Sequence, residues 1–181
     1  MVAASANPLL IQRLQRLLSG GAFRVYASRD VIGVELAGAM KNVVALAAGM
    51  ADGLGLGDNA KAALVTRGLA ELARLGSALG AKKETFFGLA GMGDLVVTCY
   101  SAHGRNLRVG RALGKGRKLA MVLADLGMVA EGVESAGPAM RLARKAGVEA
   151  PILAAVDGVI RGAWTPGTAL RRLLGRTPGK E

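Results

Sequence analysis

Ile32-Gly33-Val34-Glu35-Leu36-Ala37-Gly38-Ala39-Met40-Lys41-Asn42-Val43-Val44-Ala45-Leu46-Ala47-Ala48-Gly49-Met50-Ala51 is the stretch whose reading decides the fold. Small and branched apolar residues occupy nearly every face of the helix it would form, so that helix belongs inside a protein rather than along its surface. Lys41 stands in the middle, with the amide of Asn42 beside it. A lysine on an apolar helix ordinarily snorkels to the surface. Burial would change its chemistry, because desolvation and neighbouring cations lower a lysine's pKa toward the range of a general acid or base. Two adjacent polar residues on a buried helix also each require a partner.

Downstream, residues 58–79 carry Leu64, Gly68, Leu72, Leu75 and Leu79 at helical spacing, with Asp58 or Asn59 as the expected N-cap and Gly80 as the closing residue. Further helices are expected over 105–113, 119–126, 131–146, 151–161 and 166–174, separated by glycine, proline and charged turns. Upstream the pattern changes. An apolar start, an amphipathic stretch from Pro8 to Leu18, the pair Gly20-Gly21 and Phe23-Arg24-Val25-Tyr26 read as a strand-helix-strand unit. Such a unit cannot bury a parallel sheet alone. The expected class is therefore mainly α: a multi-helix domain at 30–181, preceded at 1–29 by the remnant of an α/β domain.

Composition agrees. Of 181 residues, 51% are hydrophobic but only 3% aromatic, so the core is built from Ala, Leu, Val and Gly, and the 27 glycines are read as turns and as close helix contacts. Mean hydropathy is +0.35, yet the longest uncharged apolar run, Val43 to Ala51, is half of the roughly 18 residues that read as a membrane span. Met-Val-Ala-Ala-Ser lacks a basic region leading into an apolar one. The expectation is a cytoplasmic protein without stable membrane insertion. The single Cys99 permits no internal disulfide or cysteine metal cluster, and His103, the sole histidine, is read as a loop residue, so no metal site is expected.

The net charge of +11 points toward anionic partners. Nucleic acid is disfavoured: zinc-finger spacing and an RNP-like motif are missing, and there are few rings for base stacking. Arg105, Arg108 and Arg111 recur every three residues and would share a helix face, with Lys115, Arg117 and Lys118 close behind; the bland reading is a solvated basic surface. Arg105-Asn106 opens a helix, where a bidentate cation, an amide and free backbone N–H groups suit a phosphate. Gly91-Met92-Gly93-Asp94 is a glycine-rich turn that would set Asp94 at a helix N-terminus, with Thr98 one turn later; by itself this is an ordinary N-cap.

As an ordered set these segments carry a resemblance. Val31 through Asn42, Asp52 through Leu64, Gly88 through Leu95, Arg105-Asn106 and Glu131-Gly132 resemble, in order, the lysine helix and following motifs of bacterial NAD(P)-dependent glycerol-3-phosphate dehydrogenases, and the opening segment resembles the end of that family's Rossmann-type nucleotide domain. The resemblance implies that Lys41 is the catalytic proton donor and acceptor. It implies that Asn42, Asp94 and Thr98 shape the substrate site, that Gly104, Arg105 and Asn106 hold the phosphate, and that Arg105, Val129 and Glu131 touch NAD or NADP. Where the family has serine before the Arg-Asn pair, this chain has Gly104, so a hydroxyl contact is lost or replaced by a backbone N–H. Asp94 would orient either Lys41 or a substrate hydroxyl.

The implied reaction is interconversion of dihydroxyacetone phosphate and sn-glycerol 3-phosphate, serving glycerophospholipid biosynthesis, and the family admits a homodimer. The Gly-x-Gly-x-x-Gly fingerprint does not occur as a strand-to-helix turn in these residues. A complete enzyme would thus need about 100–150 further residues, one typical domain, and the chain by itself is expected to be inactive. Two other readings stay open: the helical domain of a 6-phosphogluconate or β-hydroxyacid dehydrogenase, and a non-catalytic module that binds phosphorylated ligands.

Overall fold

The computed structural model describes residues 1–177. β1 (Val2–Ala4) and β2 (Tyr26–Ser28) pair in parallel, Val2 opposite Tyr26 and Ala4 opposite Ser28, and α1 (Pro8–Leu18) connects them. Asn7 caps α1, its Oδ1 accepting from Leu9 N at 3.0 Å, and Pro8 occupies the first turn, where its missing N–H costs nothing. β2 lies later than the expected 23–26. Phe23 is instead spent in a bridge with Gly20 across the glycine turn, and parallel pairing starts at Tyr26.

Asp30 joins this unit to the helices. One carboxylate oxygen accepts from Gly33 N at 2.9 Å, capping α2 (Val31–Gly53). The other accepts from Lys82 N at 2.9 Å and Thr85 Oγ1 at 2.5 Å, tying α2 to the start of α4 (Lys83–Phe87). Burial pushes the carboxyl's pKa upward, but the Thr85, Gly33 and Lys82 donors and the Lys82 charge outweigh it and hold it below the ordinary value.

α2 is the hub. Around it pack α3 (Gly57–Ala78), α5 (Asp94–Tyr100), α6 (Arg105–Gly114), α8 (Glu131–Lys145) and α9 (Pro151–Ile160), while α7 (Leu119–Leu126) lies on α6 and α10 (Pro166–Leu174) on α9. By length and composition alone α2 could cross a membrane. Here Val43, Val44, Ala45, Leu46 and Ala48 have no exposed surface inside the bundle, which is the place an all-apolar helix takes in a packed protein.

The tightest crossing is between α2 and α6, and glycine makes it. A Cβ on Gly49 would lie 2.3 Å from Leu107 O, and one on Gly53 2.4 Å from Arg111 O. From the other side, Gly110 and Gly114 would put a Cβ 2.2 Å from Leu46 O and 2.5 Å from Met50 O. The four glycines, two per helix and four residues apart in each, bring backbone against backbone.

Charged groups reinforce the bundle. Asp52 accepts from Lys61 Nζ at 2.9 Å and Arg111 Nε at 2.8 Å; burial raises its pKa, and these two cations pull it below the ordinary value. Glu71 on α3 caps α9, accepting from Ile152 N at 2.8 Å and from Leu153 N at 3.3 Å. Burial pushes its carboxyl up to about 7 against the pull of those N–H donors. The N-cap expected at Asp58 or Asn59 falls at Leu56 without a side-chain cap, because the turn through Gly57, at φ +79°, starts the helix earlier. Gly80 closes α3 at φ +90°, as expected.

Candidate functional site

Lys41 and Asn42 sit on α2 about two turns before Gly49, and Arg105 and Asn106 on α6 just over one turn before Gly110. The glycine crossing therefore brings these two polar pairs together at one end of the seam. Lys41 is half-buried and its Nζ forms an ion pair with Asp94. Asp94 is the first residue of α5, delivered by a π-helical turn over Leu89–Gly93. Gly91 makes that turn feasible: a Cβ there would lie 2.1 Å from Phe86 O. Lys41 is thus only partly buried, and the charged group beside it is the Asp94 carboxylate. Of the two roles expected of Asp94, the structure displays contact with Lys41. Thr98 follows one turn later and donates from Oγ1 to Asp94 O at 2.5 Å, so its lone pairs stay available while its hydrogen is spent.

Gly104 is the N-cap of α6, with no side-chain cap. Its φ of −62° suits any residue, but a Cβ would approach Ser101 O to 3.2 Å. Arg105 donates from Nη1 to Val129 O at 3.0 Å and from Nη2 to Glu131 Oε1 at 3.4 Å. Asn42 donates from Nδ2 to Glu131 Oε2 at 2.9 Å, and Asn106 from Nδ2 to Asn42 Oδ1 at 2.9 Å. Gly132 N donates to Asn106 Oδ1 at 2.9 Å. Every predicted residue is thereby in or beside one cluster, but the cleft itself is more selective. Lys41, Asn42, Thr98, Gly104, Arg105, Asn106 and Glu131 line a hollow of about 380 Å³. Asp94 lies behind Lys41 and faces a second hollow bordered by Val2, Val34 and Gly38. Val129 reaches Arg105 through its carbonyl alone.

Sequence reasoning missed three lining residues, Val97, Ser101 and His103. His103 does lie in a loop, as expected, but in the loop that walls the cleft. The one available signal was its position just before Arg105-Asn106. Of the arginine run, Arg105 turns to the cleft, whereas Arg108 and Arg111 border a separate hollow with Lys115 and Arg117, Arg111 pairing with Asp52 and Arg117 with Asp125. Among the described residues, no three His, Cys, Asp or Glu side chains converge as a metal site would require.

Chemically, the cleft offers two cations, two amides and the free N–H groups at the start of α6 against one lining carboxylate. It can grip a small anion near Arg105 and move a proton at Lys41.

Comparisons with known proteins agree with this architecture. Residues 30–171 match the family described as NAD-dependent glycerol-3-phosphate dehydrogenase C-terminus. The chain is 58% identical over 160 residues to glycerol-3-phosphate dehydrogenase [NAD(P)+] of Geobacter sulfurreducens, covering 88% of this chain and 48% of that protein. It is 50% identical over 182 residues to the protein of the same description from Geobacillus kaustophilus, covering 100% of this chain and 53% of the other. The crystal structure of glycerol-3-phosphate dehydrogenase from Coxiella burnetii superposes with a TM-score of 0.93 at 43% identity, covering 97% of this chain and 54% of that one. The chain thus spans about half the length of the curated relatives it matches.

Proposed function

Because the chain belongs to the family of the NAD-dependent glycerol-3-phosphate dehydrogenase C-terminus, we propose that it is the substrate-binding and catalytic part of an enzyme interconverting dihydroxyacetone phosphate and sn-glycerol 3-phosphate. On this reading residues 30–181 form that part, and residues 1–29 belong to a Rossmann-type domain. The observation that carries the reading is the convergence of Lys41 with Arg105 and Asn106 on one cleft.

Arg105, Asn106 and the N–H groups at the start of α6 hold the phosphate, with Gly104 contributing backbone where a hydroxyl would otherwise stand. Gripping the end of the substrate remote from the reacting carbon orients the carbonyl, so loss of Arg105 harms turnover as well as binding. Lys41 gives its proton to the oxygen on C2 as the carbonyl is reduced and takes it back in the reverse direction. Asp94 holds the Lys41 ammonium in place. Asn42 and Thr98 shape the wall around C2 and its neighbours.

The rim fits a nicotinamide dinucleotide: the half-exposed Arg105 guanidinium and Glu131 carboxylate offer a cation for its phosphates and an acceptor for its hydroxyls, beside the backbone at Val129. When bound, NAD(P)H supplies the hydride. The enzyme is read as cytoplasmic, without membrane insertion, feeding glycerophospholipid synthesis and able to form a homodimer.

The test joins this chain to a dinucleotide-binding domain of a relative and follows NADH and NADPH oxidation with dihydroxyacetone phosphate, using unphosphorylated dihydroxyacetone as control. Turnover should require the phosphate and fall by about 10²- to 10⁴-fold in Lys41→Ala. Unchanged turnover in Lys41→Ala would remove the lysine's role. A folded but inactive parent would shift the reading to another dehydrogenase or a binding module.

A further inference from the structure

An asparagine side chain has nearly the same shape in either amide orientation, so its partners decide whether it presents a donor or an acceptor. At this cleft the choice is settled from outside the asparagines. Glu131, in the first turn of α8, ends the chain of hydrogen bonds with a carboxylate that can only accept; its neighbour Gly132 begins it with an N–H that can only donate. Between them the bonds run in one direction. Gly132 N donates to Asn106 Oδ1, Asn106 Nδ2 to Asn42 Oδ1, and Asn42 Nδ2 to Glu131 Oε2, each at 2.9 Å. Flipping either amide would set donor against donor on one side and acceptor against acceptor on the other.

Each amide nitrogen keeps a second hydrogen. That of Asn106 has no partner among the described residues, and that of Asn42 reaches Gly38 O at only 3.5 Å. Both residues line the cleft although each is less than a tenth exposed. We propose that Glu131 is a positioning residue: it orients Asn42, and with Gly132 Asn106, so that Asn106 presents its remaining amide N–H, never its carbonyl oxygen, to a phosphate-bearing substrate. The identity of that substrate rests on the function proposed above; the orientation does not. Gly132 is placed for this purpose, since a Cβ there would lie 2.4 Å from Asn42 O and 2.9 Å from Asn106 Oδ1.

The experiment uses the full polypeptide that carries this chain, labelled with ¹⁵N at asparagine, as wild type, Glu131→Ala and Glu131→Gln. Side-chain amide signals of Asn42 and Asn106 are recorded, and glycerol 3-phosphate and inorganic phosphate are titrated in the absence of cofactor. Glutamine keeps an acceptor for Asn42 but gives up the charge beside Arg105, so it separates the relay from the ion pair. Glu131→Ala should shift both amide signals, speed their exchange with solvent and weaken glycerol 3-phosphate binding about tenfold. Glu131→Gln should restore the signals and most of the affinity. Amide signals and affinity unchanged in Glu131→Ala would overturn the proposal, and so would a glutamine variant as impaired as the alanine one. A wild type that binds neither ligand would refute the proposed substrate, while the amide signals would still decide whether Glu131 sets the orientation.

Discussion

The crossing of α2 with α6 and the strand-helix-strand unit at residues 1–29 are built from similar small and aliphatic residues, and they end up in opposite conditions. At the crossing, glycine lets two backbones touch, and Val43, Leu46, Leu107 and Val109 around it have no exposed surface. In the N-terminal unit α1 buries Ile11 alone, while Leu9 is 72% exposed and Leu17 69%. Burial depends on having something to pack against, not on being apolar. The crossing also sets Asn42 against Asn106 and brings Lys41 and Arg105 to one hollow. The N-terminal unit contributes β1 to the wall of the hollow behind Asp94 and little else to the cleft.

The contrast can be broken most forcefully at the crossing. Gly110→Ala places a Cβ 2.2 Å from Leu46 O, and backbone cannot yield as a side-chain tip can. The expected loss is about 3 kcal/mol, or roughly 6–12 °C in Tm for a chain of this size, read by thermal unfolding. A Tm within a degree or two of wild type would mean that the two backbones do not touch at the crossing.

A smaller effect is expected at Asp30, where the two regions meet. Asp30→Asn leaves one acceptor for three donors and sets an NH₂ group against one or more of them, costing about 1–3 kcal/mol near neutral pH. The sign of its pH dependence follows from a folded-state pKa held below the ordinary 3.8. The carboxylate's contribution is complete above that value and is lost as pH falls through the lower folded-state value. The gap in Tm between wild type and Asp30→Asn should therefore be constant from neutral pH down to about 4 and narrow below it. An equal gap at pH 7 and at pH 3 would show that the charge contributes nothing.

The smallest effect sharpens the comparison. Leu9→Gln and Leu17→Gln should change the stability of this chain by less than about 0.5 kcal/mol each. In a polypeptide that supplies a neighbour to cover α1, the same changes should cost about 1.5–3 kcal/mol each. Equal penalties in both settings would mean that α1 is not a docking face.

Much of the helical body could be read directly. Nearly every expected helix appears within two residues of its anticipated ends, because apolar periodicity, Pro at a first turn and Gly after a last one are local signals. The differences fall at glycine turns, whose backbone geometry leaves no mark in side-chain periodicity. Phe23 belongs to a bridge with Gly20 rather than to the expected strand, and the turn at Gly57 starts α3 before the cap expected at Asp58. The π-helical turn before Asp94 has no periodicity of its own; it exists because Gly91 rests on Phe86 O.

The candidate site divides the same way. The sequence by itself determined that α2 is a buried helix, that Lys41 and Asn42 are out of place on it unless they have work to do, and which ordered residues accompany them; composition, spacing and resemblance are properties of the chain alone. Only the tertiary structure decided that Lys41 meets Asp94, that Val129 meets Arg105 through its carbonyl, that His103 and Ser101 wall the cleft, and that Glu131 and Gly132 point both asparagines the same way. Those pairings join residues 24 to 89 positions apart. Hydrogen-bond direction depends on which groups arrive within about 3 Å of one another, and in this protein that is set by how closely Gly49, Gly53, Gly110 and Gly114 let two helices approach.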